Sequence, residues 1–214
     1  MQPYAASPDP YQKVRSTSGT LVILLAIRAA MRVVTYLVFT VLAPGPESGP
    51  ETFDRLRMID RALLGLESLV GLVAMIVFLV WIYRVLKAIR QTGRDAMSPG
   101  LAVGGWFIPL ANVVLPWLSV RSALRGVDNK APLAGIWWLV WLVNMSLGSA
   151  HQLVRQLSLI PELYDVIPME IIDSMTQSVG STFWVYFCTD TAAWGLLALI
   201  VVTVRKAVTP AGAA

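Results

Sequence analysis

Four stretches of this chain, residues 20–42, 62–83, 132–153 and 181–204, each run for more than twenty residues with almost no charge. A helix rising about 1.5 Å per residue crosses the roughly 30 Å hydrocarbon layer of a bilayer in about 20 residues, so runs of this length dictate membrane-spanning helices. Composition agrees: 56% of the residues are hydrophobic and 14% charged, against roughly a quarter charged in soluble domains. Mean hydropathy is +0.65. The spans and their connections use up the 214 residues, leaving no room for a separate soluble catalytic domain. The run at 20–42 is too long for a signal-peptide core and carries Arg28 and Arg32, so it reads as a retained span.

A further run, residues 101–118, is uncharged but contains Gly104, Gly105, Pro109, Asn112 and Pro116. Its two prolines would open a helix twice, because each lacks a backbone donor and clashes with the preceding turn. Charge decides whether it crosses. If it does not, the N-terminus, residues 84–130 and the C-terminus share one side, which then holds eleven Lys/Arg against four on the other. If it does, the split is seven against eight. The positive-inside rule therefore favours the first arrangement. The expected fold is an all-α integral membrane protein of four transmembrane helices, with both termini cytoplasmic and a Pro/Gly-broken segment at 99–118 that is re-entrant or interfacial; five spans are the alternative.

In that topology residues 1–19 form a disordered cytoplasmic tail, 20–208 one membrane domain and 209–214 a short tail. Residues 50–61 and 155–178, where acids alternate with apolar residues, form outer amphipathic caps. The inner side carries a net charge of +8 and the outer side −4, with the membrane interior neutral, which gives the chain its +4. The pI of about 9.5 thus describes a basic inner face suited to the anionic inner-leaflet lipids. Basic runs interleaved with aromatic residues, as a nucleic-acid groove needs, are missing, so no nucleic-acid partner is expected.

Four ionisable residues fall inside the spans: Arg28, Arg32, Glu67 and Asp190. An isolated charge there costs about 2.5–3.5 kcal/mol even on the mildest scale, so each should face the bundle interior and find a partner. Counted along the helices, Arg32, Glu67, Asn144 and Asp190 lie about 17–22 Å from the inner edge, with Arg28 about 12 Å in. Tyr36 continues the helix face of Arg28 and Arg32. Depth alone pairs Arg32 with Asp190 and leaves Glu67 as the other partner. A buried ion-pair knot that fixes which helices meet is the structural reading; proton or ion movement, or capture of an anionic group, is the functional one.

No hydrolase elbow, zinc-protease helix, phosphate-binding glycine loop or dinucleotide fingerprint occurs, which points away from an enzyme. The single Cys and single His argue against a disulfide, a haem or a zinc centre, and no cofactor or metal is expected. His151 reads as an interfacial hydrogen-bonding residue, and Cys188 as packing.

The stretch Trp81-Ile82-Tyr83-Arg84-Val85, then Met97-Ser98-Pro99-Gly100-Leu101-Ala102-Val103-Gly104-Gly105-Trp106-Phe107-Ile108-Pro109-Leu110-Ala111-Asn112 and Leu115-Pro116-Trp117, resembles the signature of the bacterial domain of unknown function 4328 family. Where that family places an Asn shortly after the aromatic–Arg pair, this chain reads Lys87-Ala88-Ile89-Arg90. The resemblance is strongest over residues 81–126. It implies a small multi-span protein of the bacterial inner membrane and implies no activity. From the residues themselves, Asn112 is suited to meet the groups that Pro109 and Pro116 free, and Gly100 and Gly104 beside Gly105 allow close approach to a neighbouring helix. The function expected is that of a non-enzymatic scaffold or accessory subunit binding lipid and a membrane protein partner, or itself as a homo-oligomer. A small transporter, channel or ligand-binding protein using the midplane charges is the alternative.

Overall fold

The computed structural model describes residues 9–41, 50–127, 130–157 and 168–210. Every regular element among them is helical: α1 (Gln12–Val41), α2 (Pro50–Gln91), α3 (Pro99–Gly104), a 3₁₀ turn (Ala111–Val113), α4 (Leu115–Val127), α5 (Ala131–Leu157) and α6 (Met169–Ala207). Four stretches of helix are long and apolar enough to cross a membrane, Gln12–Thr35, Arg61–Gln91, Ala131–Ser149 and Val185–Ala207. They contain or overlap the four uncharged runs of the sequence. The fold is thus all-α with four spans, and residues 101–118 are not among them.

The helix bounds depart from expectation at the start of α1 and at the outer ends of α5 and α6, whereas α2 is the one long protruding helix that Pro50 and Glu51 at its start and Lys87 to Arg90 at its far end predict. α1 begins at Gln12, inside the stretch expected as tail, because Asp9 organises its start: Asp9 Oδ1 accepts the Tyr11 N–H at 2.8 Å and the Asp9 carbonyl accepts the Gln12 N–H at 3.2 Å. The new turns also bury a face, since Val14 and Ser18 are fully enclosed. The expected cap at 50–61 is the first part of α2, whose 42 residues reach about 63 Å, well beyond the hydrocarbon layer. Residues 155–157 and 169–178 likewise extend α5 and α6, and 158–167 lie outside the described residues.

The chain forms two compact units, one of residues up to 131 together with those from 198 onward, the other of residues 132–197. In the first, α1 packs along α2. Trp81, fully buried, donates from Nε1 to Ser18 Oγ at 2.9 Å, and Ser18 donates in turn to the Val14 carbonyl at 2.8 Å. One turn further along α2, Arg84 donates to Thr17 Oγ1. The aromatic–Arg helix end of the motif is therefore the clasp between α1 and α2.

The broken segment folds as a hairpin against the same half of α2. Gly105 closes α3 with its N–H on the Leu101 carbonyl at 2.9 Å, and Trp106 and Phe107 donate to Val103 and Gly104 at 3.2 and 3.0 Å. Local turns thus satisfy donors that hydrocarbon could not. Pro109 keeps the chain from continuing as helix, while Pro116 falls in the first turn of α4, where a missing N–H does no harm. Trp106 meets Phe78 edge-on at 5.4 Å between ring centroids. At the other end of the hairpin, Gly126 lies against Ile89, Arg94 donates to the Gly126 carbonyl at 2.7 Å, and the Met97 N–H donates to Ser122 Oγ at 2.9 Å. From residue 89 to residue 78 is about 16 Å along α2. The hairpin runs that far along α2 and returns, only about 8 Å of it beside the run expected to end at Tyr83, so the segment turns back without crossing.

Of the three glycines expected to allow close approach, Gly105 does so and Gly100 and Gly104 do not. A Cβ at Gly100 or Gly104 would meet nothing within 4 Å, whereas one at Gly105 would lie 2.5 Å from Leu115 Cβ and one at Gly126 2.6 Å from Ile89 Cδ1. The close approaches are between the hairpin's own arms and between α4 and α2, positions set by helix rotation rather than by the spacing of small residues.

Candidate functional site

Each unit holds a polar cluster inside its spans. In the first, Arg32 Nη1 lies 3.1 Å from Glu67 Oε2, and Thr35 donates to the other carboxylate oxygen at 2.7 Å. Glu67 is only 7% exposed. Arg28, one turn from Arg32, donates to the main-chain carbonyl of Glu67 at 3.3 Å. Its guanidinium fits because residue 71 is glycine: a Cβ there would overlap Arg28 Nη1. Both carboxylate oxygens of Glu67 and the carbonyl of the same residue are therefore engaged by α1. A charge that would be costly alone is matched across the α1–α2 seam.

In the second unit, Asp190 on α6 is 4% exposed. Its Oδ1 accepts from Asn144 Nδ2 of α5 at 3.2 Å and from Trp194 Nε1 at 3.1 Å. Thr189 donates to Asn144 Oδ1 at 3.2 Å, so the amide is fixed from both ends. Nearby, a Cβ at Gly148 would lie 2.8 Å from the Tyr186 ring, so α5 and α6 approach closely one turn beyond Asn144. This is an α5–α6 seam built on an amide, a hydroxyl, an indole and one carboxylate.

Within the first unit Arg28, Arg32 and Glu67 come together, and within the second Asn144 and Asp190 do. Arg32 engages Glu67, the second of the two partners that depth offered. The side chains of Tyr36 and His151 lie outside the described residues. Thr35, Gly71, Thr189 and Trp194 were not singled out from sequence. Trp194 stands four residues after Asp190 and Gly71 four after Glu67, the helical spacing that places neighbours on one face; that signal was available.

The broken-segment residues are placed as structure rather than as a polar path. Ser98 precedes α3 as its N-cap without a side-chain cap bond, and Pro99 starts the helix. Trp106 is buried against Phe78. Asn112 has its Oδ1 buried with no hydrogen-bond partner among the described residues. Cys188 is exposed rather than packed, one face of α6 having turned outward. Among the described residues no group of three or more His, Cys, Asp and Glu is placed to hold a metal ion.

Four helices long and apolar enough to cross a bilayer, joined by short connections and a hairpin that does not cross, define an all-α integral membrane protein. The family model for the domain of unknown function DUF4328 matches residues 47–207, most of the chain, and the protein belongs to that family. The match takes in α2 to α6, with Glu67, Asn144, Asp190 and the whole hairpin, while Arg28 and Arg32 on α1 precede it. No curated protein and no solved structure matches the chain.

Proposed function

We propose that this protein is a non-enzymatic scaffold or accessory subunit of the bacterial inner membrane, with both termini cytoplasmic, that binds inner-leaflet lipid and a membrane protein partner or a second copy of itself. The observation that carries this reading is the use to which the buried polar groups are put. Glu67 is held at both oxygens by Arg32 and Thr35, and Asn144 is held between Thr189 and Asp190, so hydrogen-bonding capacity goes into fixing helix pairs. The hairpin adds to it: Phe107, Ile108 and Leu110 at its tip are 73%, 52% and 88% exposed. An irregular backbone at membrane depth is stable only where protein covers it, so this tip is the surface on which a partner or a second copy would sit.

Native mass spectrometry and in-membrane crosslinking from a cysteine at position 110, in a Cys188→Ser background, test the reading. The expected result is a defined homo-oligomer, or a one-to-one complex with the same membrane protein recovered from either side. A chain that stays monomeric at all protein concentrations and crosslinks only to lipid contradicts it. Saturable solute flux through the purified protein in sealed vesicles, lost in Glu67→Gln or Asp190→Asn variants that remain folded, would favour transport instead.

A further inference from the structure

Where α1 begins and α2, α4 and α6 end, the first unit has an open pocket of about 350 Å³. Asp9 and Arg15, Thr92 and Arg94, and Val127 and Thr209 contribute to its walls. Two guanidiniums therefore line one space with a single carboxylate, while the Thr92 and Thr209 hydroxyls donate to the Ile89 and Arg205 carbonyls. Arg15 donates through Nη1 to the Val208 carbonyl at 2.9 Å and through Nη2 to Asp9. Arg94 donates through Nη1 to Gly126. A guanidinium carries five N–H donors, so these bonds occupy two on Arg15 and one on Arg94.

The helix ends oppose an anion here and have to be weighed. Three C-termini bring about half a negative charge each, and the start of α1 returns about half a positive one. Against that net of about −1 stand Arg15 and Arg94 in the walls and Arg90, Arg125, Arg205 and Lys206 in the last turns of the same helices, with Asp9 and, next to Arg94, Asp95 of opposite sign. The formal charges prevail and the pocket is positive. Asp9 already displays the chemistry it selects: the carboxyl is held below the usual carboxylate range by the Tyr11 N–H and by Arg15, so it stays an oxyanion on the guanidinium.

We propose that this pocket binds a phosphate group, bridged by Arg15 and Arg94, with Asp9 as an internal competitor for Arg15. A carboxylate has two oxygens and satisfies one guanidinium, whereas a phosphate presents three or four and can meet the remaining N–H donors of both Arg15 and Arg94. The source of the phosphate is either a lipid headgroup or a free phosphate, and the volume leaves room for the glycerol of a headgroup. The lipid case rests on the inner-leaflet orientation proposed above; the free-phosphate case does not.

The test is calorimetric titration of the full chain in detergent with inorganic phosphate and, separately, with dihexanoyl phosphatidic acid, using dihexanoylglycerol as the phosphate-free control. Saturable binding of either phosphate probe and none of the control is expected. Arg94→Gln should weaken that binding about tenfold, while the loss of its bond to the Gly126 carbonyl is read separately as a lowered melting temperature of a protein that remains folded. Asp9→Asn should tighten it several-fold, since Asn keeps an oxygen for the Tyr11 N–H and removes the competing charge. Binding of the lipid probe alone assigns a headgroup, and binding of both or of inorganic phosphate alone assigns phosphate itself. No saturable binding, or binding indifferent to Arg94→Gln, overturns the proposal and leaves the oligomer or partner measured in the crosslinking experiment untouched. Weaker binding in Asp9→Asn would remove Asp9 from the competitor role.

Discussion

Glu67→Gln is expected to destabilise the protein by about 3–5 kcal/mol, the usual consequence of removing one half of a buried ion pair. The side chains of Arg32 and Glu67 are only 15% and 9% exposed, so solvent cannot take over when the carboxylate is neutralised. The amide would still accept from Thr35, but Arg32 would keep its charge without a counter-charge at that position. Replacing both partners, as Arg32→Met with Glu67→Leu, should restore most of the loss, because two apolar side chains need no compensation. Reversible unfolding in mixed micelles, followed by tryptophan fluorescence, reads both effects. If the double variant is as unstable as the single one, the cluster stabilises through its hydrogen-bond geometry and the charge argument fails.

Trp81→Ala should cost a similar amount, about 3–5 kcal/mol, as large aromatic deletions in close-packed cores do. Trp81 is fully buried, touches Phe78 at 5.9 Å between ring centroids and donates to Ser18, so its loss opens a void at the α1–α2 clasp. Trp81→Phe separates the two contributions. It keeps most of the volume and removes the N–H, and should cost about 1 kcal/mol for the bond. Equal losses in the two variants would mean that the hydrogen bond to Ser18, not the burial, holds the clasp.

How far the sequence could be read follows from what each signal measures. Run length and hydropathy report position along a helix axis, and they placed all four spans. The count of Lys and Arg, eleven against four, separated a hairpin from a fifth span where hydropathy could not, because it reports sides rather than depth. Partner choice is different. Depth puts Arg32 level with both Glu67 and Asp190, and the helix rotation that brings Arg32 to Glu67 leaves a weak trace in runs that are apolar all round. The same lack explains why Gly105 and Gly126, rather than Gly100 and Gly104, make the close approaches. Thr35, Ser18 and Trp194 escaped notice because a hydroxyl or an indole is unremarkable in an apolar run until its partner is known. The start of α1 at Gln12 escaped because its turns are polar, and a helix fixed by an aspartate and a buried Val14 carries no hydropathy signal.

The central claim is that residues 99–127 enter and leave the bilayer on one side. Single cysteines at Asp95, Leu110 and Lys130, in a Cys188→Ser background, can be probed with a membrane-impermeant maleimide in intact cells and in inverted vesicles. The account predicts that positions 95 and 130 label only in inverted vesicles and that position 110, at the apolar tip, labels in neither. Labelling of 95 from one side of the membrane and of 130 from the other would mean that the segment crosses, and would contradict the four-span fold.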